Sequence, residues 1–235
     1  MPDYPEESAK DKAIAAARAV TKGAIGGVPI AGSFLTEIVD LLYRKPIEQR
    51  REEWLRDVAD ALSEIRKWQD DLTPDRLAEN PQFITLLHRA TEAAVRTHQD
   101  EKRRLLRNAV VSAALPTAPG LDKQLHFLRL VEELTINQVI VMVLYRNPSE
   151  WFRRQNRKPK DFYAGSRDAV VEQAYPELHK SPDFKLLVLG DMEKRGLLFG
   201  LSAMVSGGAV YDSVTTPLAN EFLDFVVADP EMPKP

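Results

Sequence analysis

Apolar and polar positions recur at helical spacing over most of this chain. Ala9–Lys22 is Ala-rich and helical by propensity. Gly23, Gly26, Gly27, Pro29 and Gly32 then break the pattern. Ser33 is placed to cap a helix whose Phe34, Ile38, Leu41 and Leu42 share one face. Pro46 interrupts or kinks that run. From Ile47 to about Gln69 a long amphipathic helix is predicted. Trp54, Val58, Ala61, Leu62, Ile65 and Trp68 form its apolar stripe, and Arg50, Arg51, Glu52, Arg56 and Asp57 its wet side. Thr73-Pro74-Asp75 and Asn80-Pro81 are two further helix starts, the second leading into Phe83, Leu87, Ala90 and Ala94 in step. Helix continues through Glu101–Leu115, as one rod or broken near Thr97-His98. No strand pattern precedes residue 197, so residues 8–115 are predicted as a helical bundle of about four or five helices.

Pro116-Thr117-Ala118-Pro119-Gly120 is the expected domain boundary, with a second domain over 121–228. Asp122 is expected to cap a helix that buries Leu125, Leu128 and Val131. Thr135 and Gln138 have the spacing of a capping box, in which hydroxyl and amide satisfy two orphan donors reciprocally. Ile136–Tyr145, nearly all apolar, should form the centre of this domain. Residues 147–165 read as irregular and Ser166–Leu178 as a short helix. Ser181-Pro182-Asp183 is another helix start, followed by Phe184, Leu187, Val188 and Met192 at helical spacing. Gly196 stops that helix just after Lys194 and Arg195, which favour its negative end. Leu197–Leu201 reads as a strand, Gly207-Gly208 as a hairpin turn and Val210–Thr215 as the return strand. Thr216-Pro217 opens a last helix carrying Leu218, Phe222, Leu223 and Val226. The fold class expected is mainly α: an N-terminal helical bundle plus a winged-helix-like α+β domain with one β-hairpin. The Gly-Leu-Leu entry and Thr-Pro-Leu exit of the hairpin resemble those of many bacterial winged-helix proteins.

Composition narrows the function classes. Among 235 residues, 44% are hydrophobic, enough for sizeable cores. The net charge of −3 gives no global field toward nucleic acid or an anionic membrane. The absence of Cys removes disulfides, Cys–zinc sites and thiol catalysis, and fits a reducing cytoplasm. The N-terminal MPDYPEESAKDK lacks the pattern of a signal peptide. Ala24–Tyr43 is apolar-rich but carries Glu37 and Asp40, so it does not read as a transmembrane helix. A cytoplasmic protein is expected.

Candidate chemistry is sparse. His88 and Glu92 lie four apart on a predicted helix, but two ligands do not make a metal site. Gly23–Gly27 lacks the Gly-Lys-Ser/Thr end of a phosphate loop and follows a helix rather than a strand. No Gly-x-Ser-x-Gly elbow is present. The expectation is no enzyme activity, no catalytic or metal residues and no cofactor. The basic run Arg153, Arg154, Arg157, Lys158 and Lys160 is flanked by Trp151, Phe152, Phe162 and Tyr163, a composition suited to phosphate contact with base stacking. The plainer reading is a surface loop held by its flanking aromatics, and that reading is favoured. The helix after Ser181 sums to zero charge, since Asp183, Asp191 and Glu193 balance Lys185, Lys194 and Arg195, whereas a groove-reading helix carries a basic excess.

The segments Glu101–Leu115, Phe127–Leu144 and Asp191–Leu198 resemble, in pattern and order, the bacterial abortive-infection alpha (Abi-alpha) family. The resemblance implies a phage-defence context. The function expected is thus a non-enzymatic protein-interaction or regulatory protein, with a protein partner that includes self among the candidates. Two rivals remain. One is a membrane-permeabilising effector that releases the face of Phe34, Ile38, Leu41 and Leu42 after a trigger. The other is a nucleic-acid binder using the basic run.

Overall fold

The computed structural model describes residues 45–67, 69, 72–179 and 182–227. Two compact units, Met1–Gln49 and Arg50–Pro235, are distinguished. Phe34, Ile38, Leu41 and Leu42, Trp68 and Ser181 lie outside the described residues, as does the side chain of Phe184.

Helix formation follows the caps and stripes in the sequence. Helix α1 (Lys45–Arg66) buries Trp54 and Val58, and the Trp54 indole donates to Thr91 Oγ1 at 3.1 Å. Pro46 lies near the start of the described part of this helix, and the run it was predicted to interrupt lies outside the described residues. Helix α2 (Pro74–Ala78) is capped by Thr73 and α3 (Pro81–Arg96) by Asn80, whose Oδ1 accepts from the N–H groups of Gln82 and Phe83. The chain breaks at Thr97–Gln99 before α4 (Asp100–Ala114). Helix α5 (Leu121–Glu133) starts from Gly120 without a side-chain cap, so Asp122 acts as a first-turn acid rather than the cap. Helix α6 (Ile136–Arg146) has the full Thr135–Gln138 capping box. Seven of its residues, from Gln138 to Tyr145, are buried, as an all-round apolar helix requires.

The remaining elements depart more from expectation. Residues 147–165 are not wholly irregular. Helix α7 (Pro148–Arg154) starts from Asn147, and strand β1 (Ala164–Ser166) follows. The predicted helix 166–178 is instead two short ones, α8 (Ala169–Ala174) and α9 (Pro176–His179). Helix α10 (Pro182–Lys194) ends at Gly196, which adopts φ +68° while Leu197 N–H donates back to the Met192 carbonyl at 2.9 Å. The partner of β1 is β2 (Met204–Ser206), antiparallel, in the register Ala164↔Ser206, Gly165↔Val205, Ser166↔Met204. One antiparallel pair is present as expected, but on other strands and without the Gly207-Gly208 turn: Gly207 has φ +46°, Gly208 does not share that left-handed conformation, and residues Gly207–Tyr211 coil into a 3-10 helix. A type I′ turn needs both central residues at positive φ. Part of the expected pairing survives as one antiparallel bridge, Leu198↔Thr215, with Phe199 N–H donating to Val214 O at 3.0 Å. Helix α11 (Pro217–Val226) is capped by Thr216, whose hydroxyl also donates to Gly196 O at 2.7 Å. The described residues are therefore mainly helical with one two-stranded antiparallel sheet.

A single apolar cluster runs from Trp54 to Val226. That cluster contains residues on both sides of the Pro116–Gly120 segment. Helix α11 causes this. It packs on α4, α5 and α6, bringing Phe222 and Phe225 to within 5.7 and 5.6 Å of the Phe127 ring. Asn108 on α4 donates to Val226 O, Lys123 on α5 pairs with Glu221, and Arg146 on α6 pairs with Asp224. No described helix is long and apolar enough to cross a membrane.

Candidate functional site

The five residues of the basic run are exposed, and its three arginines are tied to neighbouring groups. Arg153 donates through Nε and a terminal nitrogen to both oxygens of Glu150 at 2.6 Å each, and Arg154 Nε donates to Glu150 Oε1 at 2.8 Å. The arginine hydrogen bonds, Arg153 first, hold the Glu150 carboxyl down at about 2. Arg157 donates to the carbonyls of Ala174 and Gln173 at the end of α8 and stacks over the rings of Trp151 and Phe152, 5.5 and 5.7 Å from their centroids. Trp151 and Phe152 are buried, edge-on to Tyr175 and Tyr211 respectively. Lys158 and Lys160 are fixed through their carbonyls, which accept from Gln173 Nε2 and the Tyr211 hydroxyl. Tyr163, by contrast, is fully exposed. Phe162 is partly buried against the core, its ring 5.9 Å from that of Tyr211, so Trp151, Phe152 and Phe162 anchor the segment.

Helix α10 has two opposed faces. Val188, Leu189 and Met192 face the core, and Lys185 faces it with them, 8% exposed. Lys185 Nζ reaches Glu172 Oε1 at 2.6 Å and Asp168 Oδ2 at 3.2 Å on α8 and the turn before it. Burial pushes the lysine pKa down, but its hydrogen bonds to Glu172 and Asp168 outweigh that and leave it raised. Burial likewise pushes Asp168 up, and hydrogen bonds from Ser166 and Lys185 bring it below its usual value. Asp191, at the edge of the helix, accepts from Gln138 at 2.8 Å and from Arg195 at 2.9 Å, and Arg195 also reaches Glu133. The outward face presents Leu186 and Leu187, 65% and 68% exposed. Leu187 was expected inside the apolar stripe; the inward position belongs to Lys185. A buried lysine spoils the pattern by which such a face is read, and the carboxylates that neutralise it lie well upstream in the sequence.

His88 Nδ1 lies 3.7 Å from Glu92 Oε1 with both side chains exposed, an i,i+4 pair on the surface of α3. Among the described residues no group of three or more His, Asp or Glu is arranged to hold a metal ion. The face of Phe34, Ile38, Leu41 and Leu42 lies outside the described residues. Comparison of the chain with family models, with curated proteins and with solved structures returned no match.

Proposed function

We propose that this chain is a non-enzymatic protein-interaction or regulatory protein whose docking surface is the outward face of α10. The exposure of Leu186 and Leu187 on a helix whose opposite face is seated in the core carries this reading. Adjacent leucines in solvent gain about 1.5–3 kcal/mol each when a partner buries them fully. The charge distribution supports a protein partner over a nucleic acid. Lys185 is turned into the core and Arg195 is engaged by Asp191 and Glu133, so α10 offers no basic excess to phosphates.

The order β1, α8–α9, α10, β2 is consistent with a winged-helix-like architecture in which α10 takes the recognition position. Helices α1 to α4 form the bundle-like part of the same reading. That shape is reused for protein contact as readily as for DNA, and the surface decides which. The phage-defence context rests on the Abi-alpha resemblance of Glu101–Leu115, Phe127–Leu144 and Asp191–Leu198. The test is recovery of the tagged full chain from its host, alongside a Leu186→Ser, Leu187→Ser variant of equal thermal stability. A defined protein partner that binds the wild type and is lost from the variant is expected. Nucleic acid as the sole companion, or identical companions for both, would overturn the reading.

A further inference from the structure

Successive residues of a helix are about 100° apart, so Asp183, Leu187, Gly190 and Lys194 fall in a stripe about 60° wide, with Leu186 beside it. This stripe lies opposite Lys185, Val188, Leu189 and Met192, which are all buried. Gly190 is a notch: a Cβ built there would meet nothing within 4 Å. Leu187, one turn earlier, is a knob. Asp183 and Lys194 mark the two ends of the stripe with opposite charges, and among the described residues neither has an ion-pair partner.

These features are arranged symmetrically about the helix midpoint, between Val188 and Leu189. If a second α10 is laid antiparallel across the first about that point, Leu187 of each copy meets Gly190 of the other. Asp183 of each copy then meets Lys194 of the other. A two-fold interface requires this kind of self-complementarity, with every contact made twice. An unrelated partner would not need the charges and the knob and notch to be disposed about one centre.

We propose that α10 is a homodimerisation helix, with a second copy of this chain docked antiparallel across it, Leu187 seated over Gly190 and Asp183 paired with Lys194. The inference rests on the reading of α10 as a docking surface and names its occupant. A glycine at the crossing lets the two backbones approach to about 8 Å, the close end of helix packing. The contact is small, because α10 is only about 20 Å long. It falls short of the ~1,000 Å² of a stable complex, so a micromolar dimer is expected.

The experiment is sedimentation equilibrium of the full chain from about 1 to about 500 μM, the range of a small interface. Leu187→Glu should raise the dimer Kd by about a hundredfold or more, since each copy loses a buried leucine. Gly190→Leu should also weaken the dimer without lowering the thermal midpoint, because it fills the notch but meets nothing within its own chain. Asp183→Lys and Lys194→Asp should each weaken it, and the double reversal should restore it to within about twofold of the wild type. A wild type that stays monomeric throughout would overturn the proposal. So would a dimer indifferent to these changes, or a double reversal that fails to rescue. If the wild type is monomeric yet Leu187→Glu abolishes capture of a different protein, the homodimer falls and the interaction reading stands; if capture is also unaffected, both fall.

Discussion

Replacing Lys185 by Met should destabilise the fold, while Leu187→Glu, two positions later, should leave it nearly unchanged. Met keeps most of the lysine stem's volume, so the loss is chiefly that of the ammonium and its two partners. Hydrogen bonds to charged groups contribute about 1.5–3 kcal/mol when well buried. Here the lysine side chain is 9% exposed but its acceptors Asp168 and Glu172 are 32% and 36% exposed, which moves the pair toward the ~0–1 kcal/mol of surface ion pairs. A net cost of about 1–3 kcal/mol follows, mostly from removing the ammonium that sits between two neighbouring carboxylates. Leu187 gives up little, so Leu187→Glu should fall within about 0.5 kcal/mol of the wild type. Urea unfolding of the full chain reads both. At about 2 kcal/mol per molar urea, the middle of the usual range, Lys185→Met should lower the midpoint by roughly 0.5–1.5 M. The measurement belongs at low micromolar protein, where self-association adds little. A loss above about 2 kcal/mol for Leu187→Glu, with none for Lys185→Met, would show that α10 is rotated so that the leucine faces inward.

The same cluster sets an acid response. Asp168 has a folded pKa below its usual 3.8, so its contribution is fully present above that value and is lost as pH falls through the lower folded one. Thermal melts across acidic pH should decline below about pH 4, and Lys185→Met should begin its decline at higher pH, because burial then meets less opposition. Gly207→Val should lower the thermal midpoint of the full chain by an amount equivalent to about 1–2 kcal/mol, since φ +46° is strained for a β-branched residue; an unchanged midpoint would show that the turn relaxes freely. Replacing Arg153, Arg154, Arg157 and Lys158 by Ala should leave nucleic-acid binding negligible, as in the wild type, while costing about 1 kcal/mol of stability through the lost Arg157 stacking. Salt-sensitive, micromolar binding by the wild type would instead favour the nucleic-acid reading.

Local signals in the sequence were enough for the helices that carry their own start and stop. Thr73, Asn80, Thr135 and Thr216 each cap the helix they precede, and Gly196 ends α10 at positive φ, because caps and turns are satisfied by groups a few residues away. The central position of α6 was legible for a similar reason: a helix apolar all round has no face to give to water. The sheet was not legible. Ala164–Ser166 is too short and too small in its side chains to alternate, and its partner lies 38 to 42 residues away, so the pairing exists only once α8, α9 and α10 have brought the two segments together. The continuity of the core across Pro116–Gly120 was equally hidden, since it depends on α11 returning to pack on α4. The candidate site divides along the same line. Residue types and spacing determined that a basic, aromatic-flanked segment and an uncharged-on-balance helix exist. Only the tertiary structure decided that Glu150, Trp151 and the carbonyls of α8 engage the arginines. It also decided that two distant carboxylates turn Lys185 inward and leave Leu186 and Leu187 in solvent. A face is chosen by what packs against it, and that neighbour is seldom adjacent in sequence.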